Sequence, residues 1–209
     1  MMKMKFLFIF IFLGMFITSF AHKPIFDDLF HGDFESALII KEPQVSQITY
    51  HEFSDEEPEF WIKFLGQKNE EIQIVLNIPY HERFSDLEVY MALFRKVSDD
   101  LGDSEHKTVG IEFPFEVPDE HDGVILHSRL YEREFFHEPF SNTESWFILR
   151  ERFTPLETGV YYVAIWPEKK FQPDGRVGFS IGTLERFSAL DLFKMPQWIQ
   201  GIREFHEVP

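Results

Sequence analysis

The 209-residue sequence contains no cysteine. That excludes disulfides, thiolate metal centres, haem attachment through thioethers and cysteine nucleophiles. An exported domain of this size can fold without disulfides, and their absence leans toward a bacterial periplasmic or surface setting. Basic charge is scarce: 20 Lys and Arg stand against 36 Asp and Glu, for a formal net charge of -16. Such a surface repels nucleic acid and anionic lipid, so nucleic acid is not an expected partner. Two signatures of catalysis are missing, the His-Glu-x-x-His helix of metalloproteases and the glycine-rich phosphate loop. Asn-x-Ser/Thr acceptors are missing too, since Asn142 is followed by Thr143 and Glu144.

What is present begins with the run MMKMKFLFIFIFLGMFITSFA. Lys3 and Lys5 form a basic head, residues 6–17 are almost wholly apolar, and Ser19 and Ala21 occupy the small-residue positions that a signal peptidase prefers. The apolar core is shorter than the roughly 20 residues that span a bilayer. The expectation is a secretory signal over residues 1–21 and a periplasmic or extracellular mature chain. A membrane attachment would follow only from an uncleaved leader. Cleavage after Ala21 would expose His22 as the new N-terminus.

Downstream, the chain is rich in short extended segments. QVSQITYHEF alternates like a strand, and in residues 72–78 Ile72, Ile74, Leu76 and Ile78 face one way while Gln73 and Asn77 face the other. In LEVYMALFR both faces are apolar, which places it between layers. WFILRERF reads as another strand, and VYYVAIWP followed by RVGFSIG reads as a hairpin. The tail changes period: Leu184, Phe187, Leu190 and Phe193 recur every three residues, and Trp198, Ile199, Ile202 and Phe205 continue after Pro196. Both stretches read as helical turns with an apolar stripe, with Pro196 in the first turn of a second helix. The expected architecture is all-β: a β-sandwich, jelly-roll-like, over residues 22–183, with a short helical extension over 184–209 packed on it. The 26 Phe residues imply an aromatic interior.

Gly159, Tyr161, Tyr162 and Val163, with Gly175, Phe179, Ile181 and Gly182 after them, form a pattern that resembles the closing strands of bacterial pre-peptidase C-terminal domains. Trp61, Phe64 and Gly66 in EEPEFWIKFLGQKNEEIQIVLNIP resemble an earlier strand pair of the same domains. The resemblance covers about two-thirds of the mature chain and is structural. It implies an extracellular β-sandwich accessory module, similar to protein- or carbohydrate-binding sandwiches, and brings no catalytic residue.

Three chemistries suggest themselves. His22, once N-terminal, could bind copper through its amine and imidazole with a second imidazole. His127 or His137 is the preferred partner, with His81 and His121 behind them. Asp119, Glu120, His121 and Asp122 in PDEHDG could hold calcium, although a solvated acidic loop explains them as well, as it does SDEEPE and SDDLGD. In YEREFFHEPF, Tyr131, Glu132, Arg133 and His137 lie among aromatics as a shallow ligand groove would, or as an edge strand with ion pairs would. Trp61, Trp146, Trp166 and Trp198 would form sugar-stacking platforms if exposed, but their apolar contexts favour burial. REFHE near the end reads as helix capping and surface charge. Taken together, the residues favour an exported, non-enzymatic binding or structural protein. Copper binding and polysaccharide binding or processing are the alternatives.

Overall fold

Ile72, Ile74, Leu76 and Ile78 alternate in sequence, and in the computed structural model all four are buried on the inner face of one strand. The structure describes residues 22–27, 29–96, 113–117, 121–168 and 175–208. The leader, the SDDLGD loop and the first three residues of PDEHDG lie outside them. Two sheets face each other. One runs in the order β1 (Lys23–Ile25), β3 (Gln47–Glu52), β11 (Arg176–Ile181), β5 (Ile72–Pro79), β9 (Thr143–Phe153), β8 (Glu134–Glu138). The other runs β2 (Leu38–Ile40), β4 (Phe60–Gly66), β10 (Gly159–Pro167), β6 (Val89–Lys96), β7 (His121–His127). Neighbours pair antiparallel, except that β1 joins β3 and β2 joins β4 in parallel. The fold is therefore the expected β-sandwich, with one C-terminal helix, α1 (Ala189–Phe205).

The core between the sheets takes one side of each strand: Ile62 and Phe64 from β4, Val89 and Met91 from β6, Val163 and Ile165 from β10, Val177 and Phe179 from β11. The other face of the five-stranded sheet is apolar as well. Trp61, Ala92, Phe94, Ala164 and Trp166 form a second cluster there, covered by Phe34 and by the segment carrying Phe113, Phe115 and Val117. This is why LEVYMALFR lacks a polar face.

The expected hairpin is not one. β10 pairs with β4 and β6, whereas β11 pairs with β3 and β5 in the opposite sheet. β4 and β5 likewise follow one another in sequence and sit in different sheets. Each of these strands is paired on both sides within its own sheet, so the chain arches from one sheet to the other between successive strands. Alternation and turn residues alone do not distinguish such an arch from a hairpin.

The tail also departs from expectation. α1 runs through Pro196 as a single 17-residue helix. The missing proline N–H leaves the Leu192 carbonyl without its helical donor, on a side of the helix that is open to water, as the exposed Leu192 side chain shows. The first apolar stripe is not buried: Leu184, Leu190 and Phe193 are exposed, and Phe193 retains 84% of its accessible surface. The docked side carries Asp191, Trp198 and Ile202 instead. Its rotation is set at the first turn. Ser188 N donates to Asp191 Oδ2 (2.7 Å), Asp191 N donates to Ser188 Oγ (3.3 Å), and Lys23 Nζ lies 3.0 Å from Asp191 Oδ1. Burial alone would raise the Asp191 carboxyl, but the hydrogen bonds from Ser188 and the Lys23 ammonium outweigh it and hold it below its ordinary value. Asp191→Ala removes the capping box and the ion pair to β1 together, so a loss of about 2 kcal/mol is expected in chemical denaturation. A loss below a few tenths of a kcal/mol would show that the first turn does not hold the helix.

Candidate metal centre

Strand register brings four side chains together that the sequence keeps far apart. In the pairing of β6 with β10, Val89 faces Pro167, so Glu88 and Glu168 form the next rung, and Glu168 N donates to the Glu88 carbonyl (2.8 Å). In the pairing of β6 with β7, Tyr90 faces His127, which ends β7. Arg129 follows in a short 3-10 turn, Ser128–Leu130, whose base is pinned by Val89 N donating to Ser128 Oγ (3.0 Å). All four lie at one end of the five-stranded sheet, on the side that bears the aromatic cluster.

One ligand atom each from Glu88, His127 and Glu168 lies within 4.8 Å of the others. His127 Nε2 is 3.8 Å from Glu88 Oε2. That nitrogen is buried and has no hydrogen-bond partner among the described residues. The imidazole is held by stacking: its ring lies 4.2 Å from Tyr90 at 21°, and Tyr90 lies 5.4 Å from Trp166 at 22°. The ring therefore cannot tilt away without breaking a three-strand aromatic ladder. Arg129 Nη2 lies 2.5 Å from Glu88 Oε2 and 2.9 Å from Glu168 Oε2. Its hydrogen bond holds the Glu88 carboxyl below the usual range despite partial burial.

One imidazole and two carboxylates are a ligand set for a divalent first-row transition metal. Tetrahedral bonds of about 2.1 Å put ligand atoms about 3.4 Å apart, so the triad would close by about 1 Å on binding. A fourth position would remain for water. Calcium prefers six to eight oxygens, which this triad does not offer.

Among the described residues, His127 is thus the sequence-selected histidine that meets two carboxylates within ligand distance. His22 lies elsewhere, in a cavity of about 30 Å³ between the outer face of the six-stranded sheet and α1. Its Nδ1 is 2.6 Å from Ser46 Oγ, and burial brings its pKa down to about 4. Neither His127 nor His137 lines that cavity, but His206 does. The REFHE segment is therefore more than capping and surface charge. His206 is buried, donates through Nδ1 to the Ile202 carbonyl (2.8 Å) and accepts at Nε2 from Ser145 Oγ (3.0 Å). Glu138 in the same cavity is raised by burial. A cavity of this size holds about one water. Ser180, also on its wall, stands in the string Gly178-Phe179-Ser180-Ile181-Gly182, which has the spacing of a hydrolase nucleophile motif. It lies inside β11 and not on the strand-to-helix turn which that motif requires.

The remaining candidates have structural partners. Arg133 Nη2 donates to the Leu87 carbonyl (2.7 Å), and Nη1 donates to that of Ser85. The Tyr131 hydroxyl donates to Glu151. Glu132 is exposed, and His137 is an exposed edge residue 4.0 Å from Glu144. His81 accepts from Arg83 N (3.2 Å), and His121 packs edge-on against the stacked rings of Phe34 and Tyr162. Trp61, Trp166 and Trp198 are buried and Trp146 is half-buried. Sequence reasoning missed Glu88, Glu168 and Arg129. The available signal was position: Glu88 and Glu168 lie one residue beyond strand ends and Arg129 two.

No protein-family model matches the sequence, and no curated protein sequence matches it significantly. Among solved structures, the fold is weakly similar to the pre-peptidase C-terminal domain of a collagenase from Bacillus anthracis. Identity is 10% over 69% of this chain and 93% of that one, with a TM-score of 0.32. It is also similar to CorA, a surface-associated copper-binding protein of Methylomicrobium album BG8. There identity is 8% over 71% of this chain and 98% of that one, with a TM-score of 0.36. Neither likeness bears on what this chain binds.

Proposed function

We propose that this chain is an exported, non-enzymatic β-sandwich that binds a divalent transition metal through Glu88, His127 and Glu168. The observation that carries the reading is the convergence of these three groups within 4.8 Å, with the His127 nitrogen buried and unpartnered beside the two carboxylates. Nitrogen with oxygen ligands and no thiolate suits Cu²⁺ or Zn²⁺, and Cu²⁺ is the stronger binder of the two at such a site. Export is supported by the leader sequence. Among the described residues, no helix is long and apolar enough to cross a membrane.

The test is calorimetric titration of the metal-stripped protein with Cu²⁺, Zn²⁺ and Ca²⁺ separately. One equivalent of Cu²⁺ or Zn²⁺ should bind, with Ca²⁺ at least 100-fold weaker, and His127→Ala should weaken the transition metals by at least 100-fold. His22→Ala, in a separate cavity, should leave binding unchanged. Equal binding by His127→Ala and the wild type would remove the proposal.

A further inference from the structure

One nitrogen of Arg129 occupies the point between the two carboxylates where a cation would sit. Nη2 is in contact with Oε2 of both Glu88 and Glu168, while His127 Nε2 waits 3.8 Å from the same Glu88 oxygen. The exposures are unequal. The Arg129 side chain keeps 60% of its accessible surface, against 25% and 27% for the two glutamates and 12% for His127. The guanidinium therefore closes the cluster from the solvent side, on a flexible stem whose backbone base is fixed through Ser128.

From this we infer that Arg129 is the resident counter-cation of the site and that metal binds by exchange with it. The inference rests on the metal-binding reading above and adds how that site is regulated. Two carboxylates this close repel one another, and in the metal-free protein the guanidinium holds them together. A divalent ion with bonds to Glu88, Glu168 and His127 needs the space and the lone pairs that Arg129 uses, so the arginine swings out into solvent as the ion enters. Because Arg129 is mostly exposed, its departure costs little packing. The metal-free fold stays closed and folded, which suits a site that loads and unloads, unlike a structural metal that the fold cannot lose. No bond is made or broken apart from the metal–ligand bonds; the single positive charge of the guanidinium gives way to the double charge of the ion, which neutralises the two carboxylates fully.

The exchange makes a prediction opposite in sign to the usual effect of mutating a site residue. Arg129→Ala and Arg129→Gln, titrated with Zn²⁺ and Cu²⁺ beside the wild type, should bind at least tenfold more tightly. The same variants should melt lower than the wild type when metal-free and recover on adding Zn²⁺. Arg129→Lys, which keeps the charge on a flexible stem, should stay close to the wild type. If the wild type binds metal and both neutral variants match it within twofold, Arg129 is a surface ion pair and the exchange is wrong. Weaker binding by the neutral variants overturns it equally. Should none of the proteins bind either ion, the metal reading itself falls. Thermal melts identify any variant that fails to fold, and having two neutral substitutions keeps the comparison intact if one is lost.

Discussion

Trp61→Ala is expected to lower the unfolding free energy by about 3–5 kcal/mol, the range for removing a large buried aromatic. Trp61 keeps 1% of its surface exposed. It lies at the centre of the outer aromatic cluster, with Phe115 4.7 Å away, Phe94 stacked at 5.7 Å and Phe34 edge-on at 5.8 Å. No neighbour can collapse into the space without leaving its own contacts, because these rings come from three different segments: Phe94 is fixed in β6 by its ladders, and Phe34 and Phe115 pack over it from outside the sheet. The same cluster includes Trp166, the base of the ladder that fixes His127. Urea denaturation of the metal-free protein gives the loss directly. A midpoint change worth less than about 1 kcal/mol would mean that the outer cluster is loosely packed and that the second apolar face of β6 has another explanation.

The second large effect is acid sensitivity above the carboxylate range. Burial holds both His22 and His51 at about 4, from an ordinary 6.5. His206 is lowered by the same cause. Between pH 6.5 and 4 the unfolded chain takes up protons that the folded chain refuses, so stability falls as pH falls through that window and the histidine contribution is complete below it. A shift of this size corresponds to up to about 3 kcal/mol per group. Glu138 opposes the trend, since its raised carboxyl favours the folded state at lower pH. Asp191 adds a further loss only below its ordinary value of 3.8. Melting temperature against pH should therefore slope steeply between 6.5 and 4. His51→Phe preserves the ring that stacks 4.6 Å from Phe60 and should flatten the slope by His51's share. An unchanged slope in that variant would assign the acid sensitivity to other groups.

The sandwich was legible because period-2 alternation reports burial on one face, and Ile72, Ile74, Leu76 and Ile78 of β5 follow it plainly. Strand partnership was not legible. β10 and β11 look like a hairpin because a run of turn-forming residues separates two good strands. That pattern does not record that both strands are interior, each with partners from the first half of the chain. The helix was legible as a period but not as a rotation. Leu190 and Phe193 have the right spacing, yet the capping box and Lys23 turn Asp191 inward and leave them in water. Of the metal cluster only His127 could be selected, from a list of histidines. Glu88 and Glu168 are two among 36 acidic residues; they meet because β6 pairs with β10, and His127 joins them because β7 lies on the other side of β6.

That interleaving of strands has a consequence for how the chain emerges. β3 pairs with β11, β4 with β10, and β5 with β9 and β11, so the central ladders join early strands to late ones. A chain threading outward from its N-terminus would present Ile72, Ile74 and Leu76 before any lateral partner of β5 existed. Such long-range pairing folds slowly and leaves apolar edges open to aggregation in the meantime. Release of the first 140 residues alone should yield an insoluble fragment, and the intact chain should need a holding chaperone until β9, β10 and β11 have arrived.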